Sequence, residues 1–145
     1  MDLFDIYETD SKLENDGIIL NFGPSKVTVA RQGGSNLSYM KELSDELNKL
    51  GKTGSKSLDF IEESELIKRV FCKAVIKNHE IKNDSGEFVS GCMIKKDGKK
   101  EIVPYSTENM MTMLDQLPEY YIEIKRYADD YKTYRALQVK EQEKN

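Results

Sequence analysis

Leu117, Tyr120, Ile124, Tyr127, Tyr131 and Tyr134 follow one another at alternating steps of three and four residues. A repeat of about 3.5 residues lines large side chains along one narrow seam of a helix and calls for another surface to cover it. The spacing predicts a final helix over residues 118–140, with Pro118 suited to a first helical turn and biasing Leu117 away from helical geometry. Upstream, Met110, Met113, Leu114 and Leu117 keep helical spacing behind Ser106, a candidate cap with Asn109 three residues on.

Two further amphipathic helices are expected. In residues 37–50, Leu37, Met40, Leu43, Leu47 and Leu50 recur at helical spacing, opposite Lys41, Glu42, Asp45, Glu46 and Lys49. Ser35 or Asn36 can cap this helix through its side-chain oxygen. Residues 58–78 form the second, with Phe60, Ile67, Val70, Phe71, Ala74 and Val75 on its buried face and Ile61 and Leu66 at the margins.

The strand signals lie elsewhere. Gly17-Ile18-Ile19-Leu20-Asn21-Phe22, the turn Gly23-Pro24-Ser25 and the alternating Lys26-Val27-Thr28-Val29-Ala30-Arg31 read as a β-hairpin, ended by Gln32-Gly33-Gly34-Ser35. Residues 81–104 have no helical period and hold two turn clusters, Asn83-Asp84-Ser85-Gly86 and Lys96-Asp97-Gly98. Phe88-Val89, Cys92-Met93-Ile94 and Glu101-Ile102-Val103 are short strands there, the last pairing back in a small hairpin. Residues 1–15 are mixed, with Phe4, Ile6 and Tyr7 available to pack down.

The expected fold is therefore α+β and mainly helical, with an N-terminal β-hairpin, about four helices and a small central hairpin. Its 145 residues suit a single domain. That domain divides into a β-hairpin region at 1–35, a helical region at 36–140 with an inserted loop or hairpin at 79–105, and a frayed tail at 141–145.

Composition narrows the function. A formal charge of -4 disfavours a duplex-binding protein, because non-specific DNA affinity needs a concentrated field of Lys and Arg. Lys95, Lys96, Lys99 and Lys100 beside Gly98 form the one dense basic patch, read first as a solvated turn. No apolar run approaches the roughly 20 residues of a membrane span, and the first residues lack the pattern of a signal peptide, so a cytosolic location with no membrane contact is expected. Cys72 and Cys92 are too few for a disulfide framework and read as reduced thiols.

Reactive motifs are weak. Gly51-Lys52-Thr53 invites a phosphate loop, but that motif needs a Gly five residues before the Gly-Lys pair, where Glu46 stands. His79, the sole histidine, lies seven residues from Cys72 on a predicted helix, and the two lack the close ligand pairs of zinc sites. Neither a catalytic site, a metal nor a cofactor is expected, and Glu62-Glu63 and Asp129-Asp130 read as solvated helix faces.

The seam has two readings. It closes the domain's own core, or it serves a partner or a second copy of the chain, since tyrosine combines a large ring with a hydroxyl that tolerates water. Met110, Met111 and Met113 beside it add adaptable contact surface, although core filling is the commoner use of methionine. The candidate partner-binding residues are Met110, Met113, Leu117, Tyr120, Ile124, Tyr127, Tyr131 and Tyr134.

Taken in order, several segments resemble the tail assembly chaperone family of long-tailed siphophages. They are the acidic start Met1-Asp2-Leu3-Phe4-Asp5-Ile6-Tyr7, the strand Lys26-Val27-Thr28-Val29-Ala30-Arg31 with its Gly/Asn break and helix, and Val103-Pro104-Tyr105-Ser106-Thr107-Glu108-Asn109. The step from Leu114 to Pro118 and a charged C-terminal helix complete the pattern, which spans nearly the whole chain. The resemblance implies a non-enzymatic protein of the host cytoplasm. It would bind the tape measure protein during tail assembly, with the major tail protein as a second candidate partner, and be absent from the finished virion. It also implies a longer form made by ribosomal frameshifting. A structural tail-completion or connector subunit is the alternative.

Overall fold

Alternating side chains and a tight turn make residues 18–29 a pair of strands, and the fold grows outward from them. The computed structural model describes residues 1–51 and 58–136. Among these, the α+β expectation holds: six α-helices, one short 3-10 helix and six strands.

Helices α1 (Leu3–Tyr7) and α2 (Ser11–Asp16) lead into strands β1 (Ile18–Asn21) and β2 (Ser25–Val29). Helices α3 (Leu37–Lys49) and α4 (Phe60–Ala74) precede strands β3 (Ile76–Lys82) and β4 (Phe88–Ser90). The hairpin β5 (Cys92–Lys96) and β6 (Lys99–Val103) follows, then α5 (Thr107–Gln116), α6 (Pro118–Asp129) and a 3-10 helix at Tyr131–Tyr134. The main sheet has the order β1-β2-β3-β4 with antiparallel neighbours, and β5-β6 forms a second, two-stranded sheet.

One core joins these elements. Val27 and Val29 of β2 and Ile76 of β3 pack with Phe71 and Cys72 of α4. Met110, Met113 and Leu114 of α5 and Ile124 and Ala128 of α6 close over them. Several local expectations are met. Ser106 caps α5 by accepting from Asn109 N at 3.0 Å, and Pro118 sits in the first turn of α6. The small hairpin turns at Asp97 and Gly98, both at positive φ (52° and 78°), the geometry that favours Asp-Gly in two-residue turns.

Other expectations are corrected. The helix predicted over 58–78 stops at Ala74, because Val75 and Ile76 turn into β3, which pairs with β2 and puts His79 inside the sheet. The N-terminal hairpin is thus half of a four-stranded sheet; of 79–105, where an inserted loop or hairpin was expected, residues 79–82 and 88–90 belong to that sheet and 92–103 form the hairpin. Two helices, α1 and α2, occupy the mixed N-terminal stretch, each capped by an aspartate, Asp2 and Asp10.

The final helix is also shorter than its period suggested. It ends at Asp129; Asp130 is extended, and its side chain accepts from Lys132 N at 3.0 Å to start the 3-10 helix. Acidic residues at a helix C-terminus oppose its dipole, and an aspartate is a good cap for the next turn. The Asp129-Asp130 pair, read as a solvated face, is the break. The far end of that predicted helix, the tail at 141–145 and the polar loop beyond Gly51 lie outside the described residues.

Helix α3 has its predicted bounds to within a residue but a different inner face. Leu37, Met40 and Leu50 are exposed, Leu43 and Leu47 are half-buried, and Glu46 is buried where Lys73 of α4 donates to it at 2.6 Å. Asn36 fixes this rotation. Its side chain is buried and donates to the carbonyls of Arg31 (2.9 Å) and Ala74 (3.1 Å), and makes no cap bond to the helix. On α4, Phe60 and Ile61 are likewise exposed, so the first turn overhangs the core.

Candidate partner groove

The seam residues divide among three environments. Met110, Ile124 and Tyr134 are fully buried, and the Tyr134 hydroxyl donates to the Val29 carbonyl at 3.2 Å. Tyr131 is half-buried against Tyr7 of α1, ring centroids 5.6 Å apart. Met113, Leu117 and Tyr120 line a surface groove, and Tyr127 flanks it, its ring 6.4 Å from that of Phe22. Leu117 and Tyr127 are 49% and 48% exposed, so these two are the seam residues most open to a partner. As a continuous contact surface the eight residues are corrected: Met110, Ile124 and Tyr134 belong to the core, and Met113 is only 1% exposed.

The groove runs between the sheet and the start of α6. Its first hollow, about 490 Å³, is walled by Phe22, Pro24 and Ser25 on one side and Leu117 and Tyr120 on the other, with Met93 at one end. Glu119 and Glu123 border it, as does Lys82, whose ammonium lies 5.4 Å from the Phe88 ring centre. A second hollow of about 440 Å³ shares Met93 and Leu117 and is bordered by Lys95, Lys100 and Gln116. Gln116 clamps β5 there, accepting from Lys95 N at 2.8 Å and donating to Lys95 O at 2.9 Å.

Beneath the first hollow a hydrogen-bonded chain ties α6 to the sheet. His79 is fully buried; its Nδ1 lies 2.8 Å from the Gly91 carbonyl and its Nε2 2.8 Å from the Tyr120 hydroxyl, which is 2.7 Å from Ser25 Oγ. A carbonyl can only accept, so Nδ1 carries the ring proton and Nε2 takes that of Tyr120. Tyr120 then accepts from Ser25. Burial lowers the His79 pKa, outweighing the opposing pull of the Gly91 carbonyl, and burial pushes the Tyr120 phenol up to about 12. Both rings are held neutral, and the chain orients the Tyr120 ring edge-on to Phe22, centroids 5.2 Å apart.

Ser25, Phe22 and Met93 were not singled out as site residues from the sequence. Phe22 was visible only as the last residue of a strand. The role of His79 was hidden by the helix predicted to run up to it, although its place between Ile76 and Ile81 in a stretch of β-branched and polar residues is a strand signal.

Cys72 and Cys92 are free, buried thiols in the core. Among the described residues no three His, Cys, Asp or Glu side chains come together to hold a metal ion, and no helix is long and apolar enough to cross a membrane. No protein-family model, curated protein or solved structure matches this chain.

Proposed function

We propose that this chain is a tail assembly chaperone of the siphophage type, a non-catalytic protein that binds the tape measure protein and keeps it in solution while the tail is built. The observation that carries the reading is the groove. It is a pair of apolar hollows walled by Phe22, Met93, Leu117 and Tyr120 with charged rims, the form of surface into which an amphipathic helix lays its apolar stripe. Methionine and tyrosine walls adapt to many sequences, which suits a long client presenting many similar segments. The sequence segments that resemble the family support it further. The Arg31 to Asn36 stretch joins β2 to α3, and the stretch before α5 carries its cap.

On this reading the protein works in the host cytoplasm, with the major tail protein as a second partner, and leaves before the virion is complete. Co-expression with the tape measure protein encoded beside it tests the proposal. Soluble client should rise with the wild-type chain, and an unchanged yield would sink the reading.

A tail-completion or connector subunit is the second reading, favoured by the exposed apolar side chains Leu37, Met40, Phe60 and Ile61, which a ring of copies would cover. Mass spectrometry of purified virions separates the two: a chaperone is missing, a connector present in ring stoichiometry.

A further inference from the structure

The two hollows of the groove carry opposite charge. Glu119 and Glu123 border the first alone, Lys95 and Lys100 the second alone, and Met93 and Leu117 are common to both. Among the described residues none of these four charges forms an ion pair within the chain. Lys95 and Lys100 are direct cross-strand partners, a like-charge pairing that disfavours the hairpin and is left uncompensated. At the acidic end the hydrogen-bond chain also has a direction. Ser25 donates inward to Tyr120, so its oxygen offers the groove an acceptor.

The geometry points to a polarised docking site for a helical segment of the client, bound in one direction. Its occupant carries two large apolar side chains one turn apart, one for each hollow. Lys or Arg lies at the N-terminal end, over Glu119 and Glu123, and Asp or Glu at the C-terminal end, over Lys95 and Lys100. The helix dipole acts in the same sense, its positive N-terminus toward the acids and its negative C-terminus toward the lysines. Lys82 also borders the first hollow, so two glutamates and one lysine leave that end with one net negative charge, against the two positive charges of Lys95 and Lys100 at the other. This inference rests on the chaperone reading for the identity of the client, and its test does not use the client.

Two synthetic helical peptides of identical composition serve as probes. Both have two leucines one turn apart; one has lysines toward the N-terminus and glutamates toward the C-terminus, and the other has the same residues alternating along its length. Titrated calorimetrically into the full chain, the first should bind at least about fivefold more tightly, the combined effect of several exposed pairs turned from mixed to attractive. A nitroxide at the N-terminus of the first peptide should broaden the NMR signals of α6 around Glu119 and Glu123 in the wild type, and those of the β5-β6 hairpin in the chain carrying E119K, E123K, K95E and K100E together, urea unfolding confirming that it folds. Equal binding of the two peptides, binding of neither, or a nitroxide at the same end in both chains would each overturn the proposal. Because client solubility is scored separately, a chaperone that fails this test would still be a chaperone, with its client seated elsewhere.

Discussion

The Tyr120 hydroxyl donates to His79 Nε2 across 2.8 Å, and this bond fastens the first turn of α6 to the middle of β3. Removing the hydroxyl leaves a buried ring nitrogen without a donor and Ser25 without its acceptor. Tyr120→Phe should therefore cost about 1–3 kcal/mol, the range for orphaning a buried polar group. A urea midpoint within error of wild type would show that water replaces the bond.

His79 also sets a pH dependence. Its folded pKa is lowered from 6.5 by burial, so the unfolded chain binds the proton more readily. Its contribution to stability is complete above the unfolded pKa and is lost as pH falls below about 6.5 toward the folded value. Glu14 and Glu46, both lowered from 4.5, act in a separate window, losing their contributions as pH falls below about 4.5. For Glu46 the Lys73 hydrogen bond outweighs burial; for Glu14 burial is opposed and overcome by bonds from Arg31, Thr9 and Ser35. Unfolding free energies measured from pH 7.5 to 5 should fall with pH in the wild type and flatten in His79→Gln. Equal slopes in the two would show that another group carries the effect.

The break after β2 is built around a buried carboxylate. Glu14, 3% exposed, accepts from Arg31 at 2.5 Å, Thr9 at 2.9 Å and Ser35 at 3.0 Å. Gly34 lies against it at φ +55°, and a Cβ there would come within 2.0 Å of the Glu14 carboxylate and 2.6 Å of the Arg31 guanidinium. Gly34→Ala should cost about 2 kcal/mol or more, from the left-handed backbone and the displaced ion pair together. Arg31→Ala should cost about 2–3 kcal/mol by leaving the carboxylate uncompensated, somewhat below a fully buried pair because Arg31 is 22% exposed. Urea titrations check both.

The thiols should be silent in the native state. Burial pushes Cys92 up to about 11 and Cys72 up to about 12, the latter helped by the neighbouring Cys92, so almost no thiolate exists at neutral pH. With Ellman's reagent at pH 7.5 both should react only at the rate of unfolding, and both promptly in denaturant. Fast labelling of either in native buffer would contradict the buried placement.

Local signals in the sequence located most elements, whereas their partners were set by contacts it could not display. The Asp97-Gly98 turn, the Ser106 cap and Pro118 are chemical features of a few residues, and they act as such. Val75 and Ile76 continued a helical apolar pattern, and only the vacant edge of β2 decided that they turn into a strand. Likewise the Leu37, Met40 and Leu50 stripe looked like a core face. A buried Asn36, bonded to carbonyls 5 and 38 residues away, rotated it outward. Of the seam, Leu117 and Tyr120 were legible as site residues. Phe22, Ser25 and Met93 come from the first hairpin and from β5, far from α6 in sequence, which no periodicity in α6 could reveal.

The turn at Asp130 brings the chain back against α1 and the start of α2. Arg135 bridges Thr9, Asp10 N donates to Tyr134 O at 2.8 Å, and the Tyr134 hydroxyl reaches β2 across 105 residues of sequence. During synthesis on the ribosome, then, the underside of the first hairpin stays unsealed until Tyr134, 105 residues after Val29, has emerged. Long-range closure of this kind is slow. A nascent copy would pass through a stage with its sheet formed and its interior open, and the arrival of Tyr134 would end it.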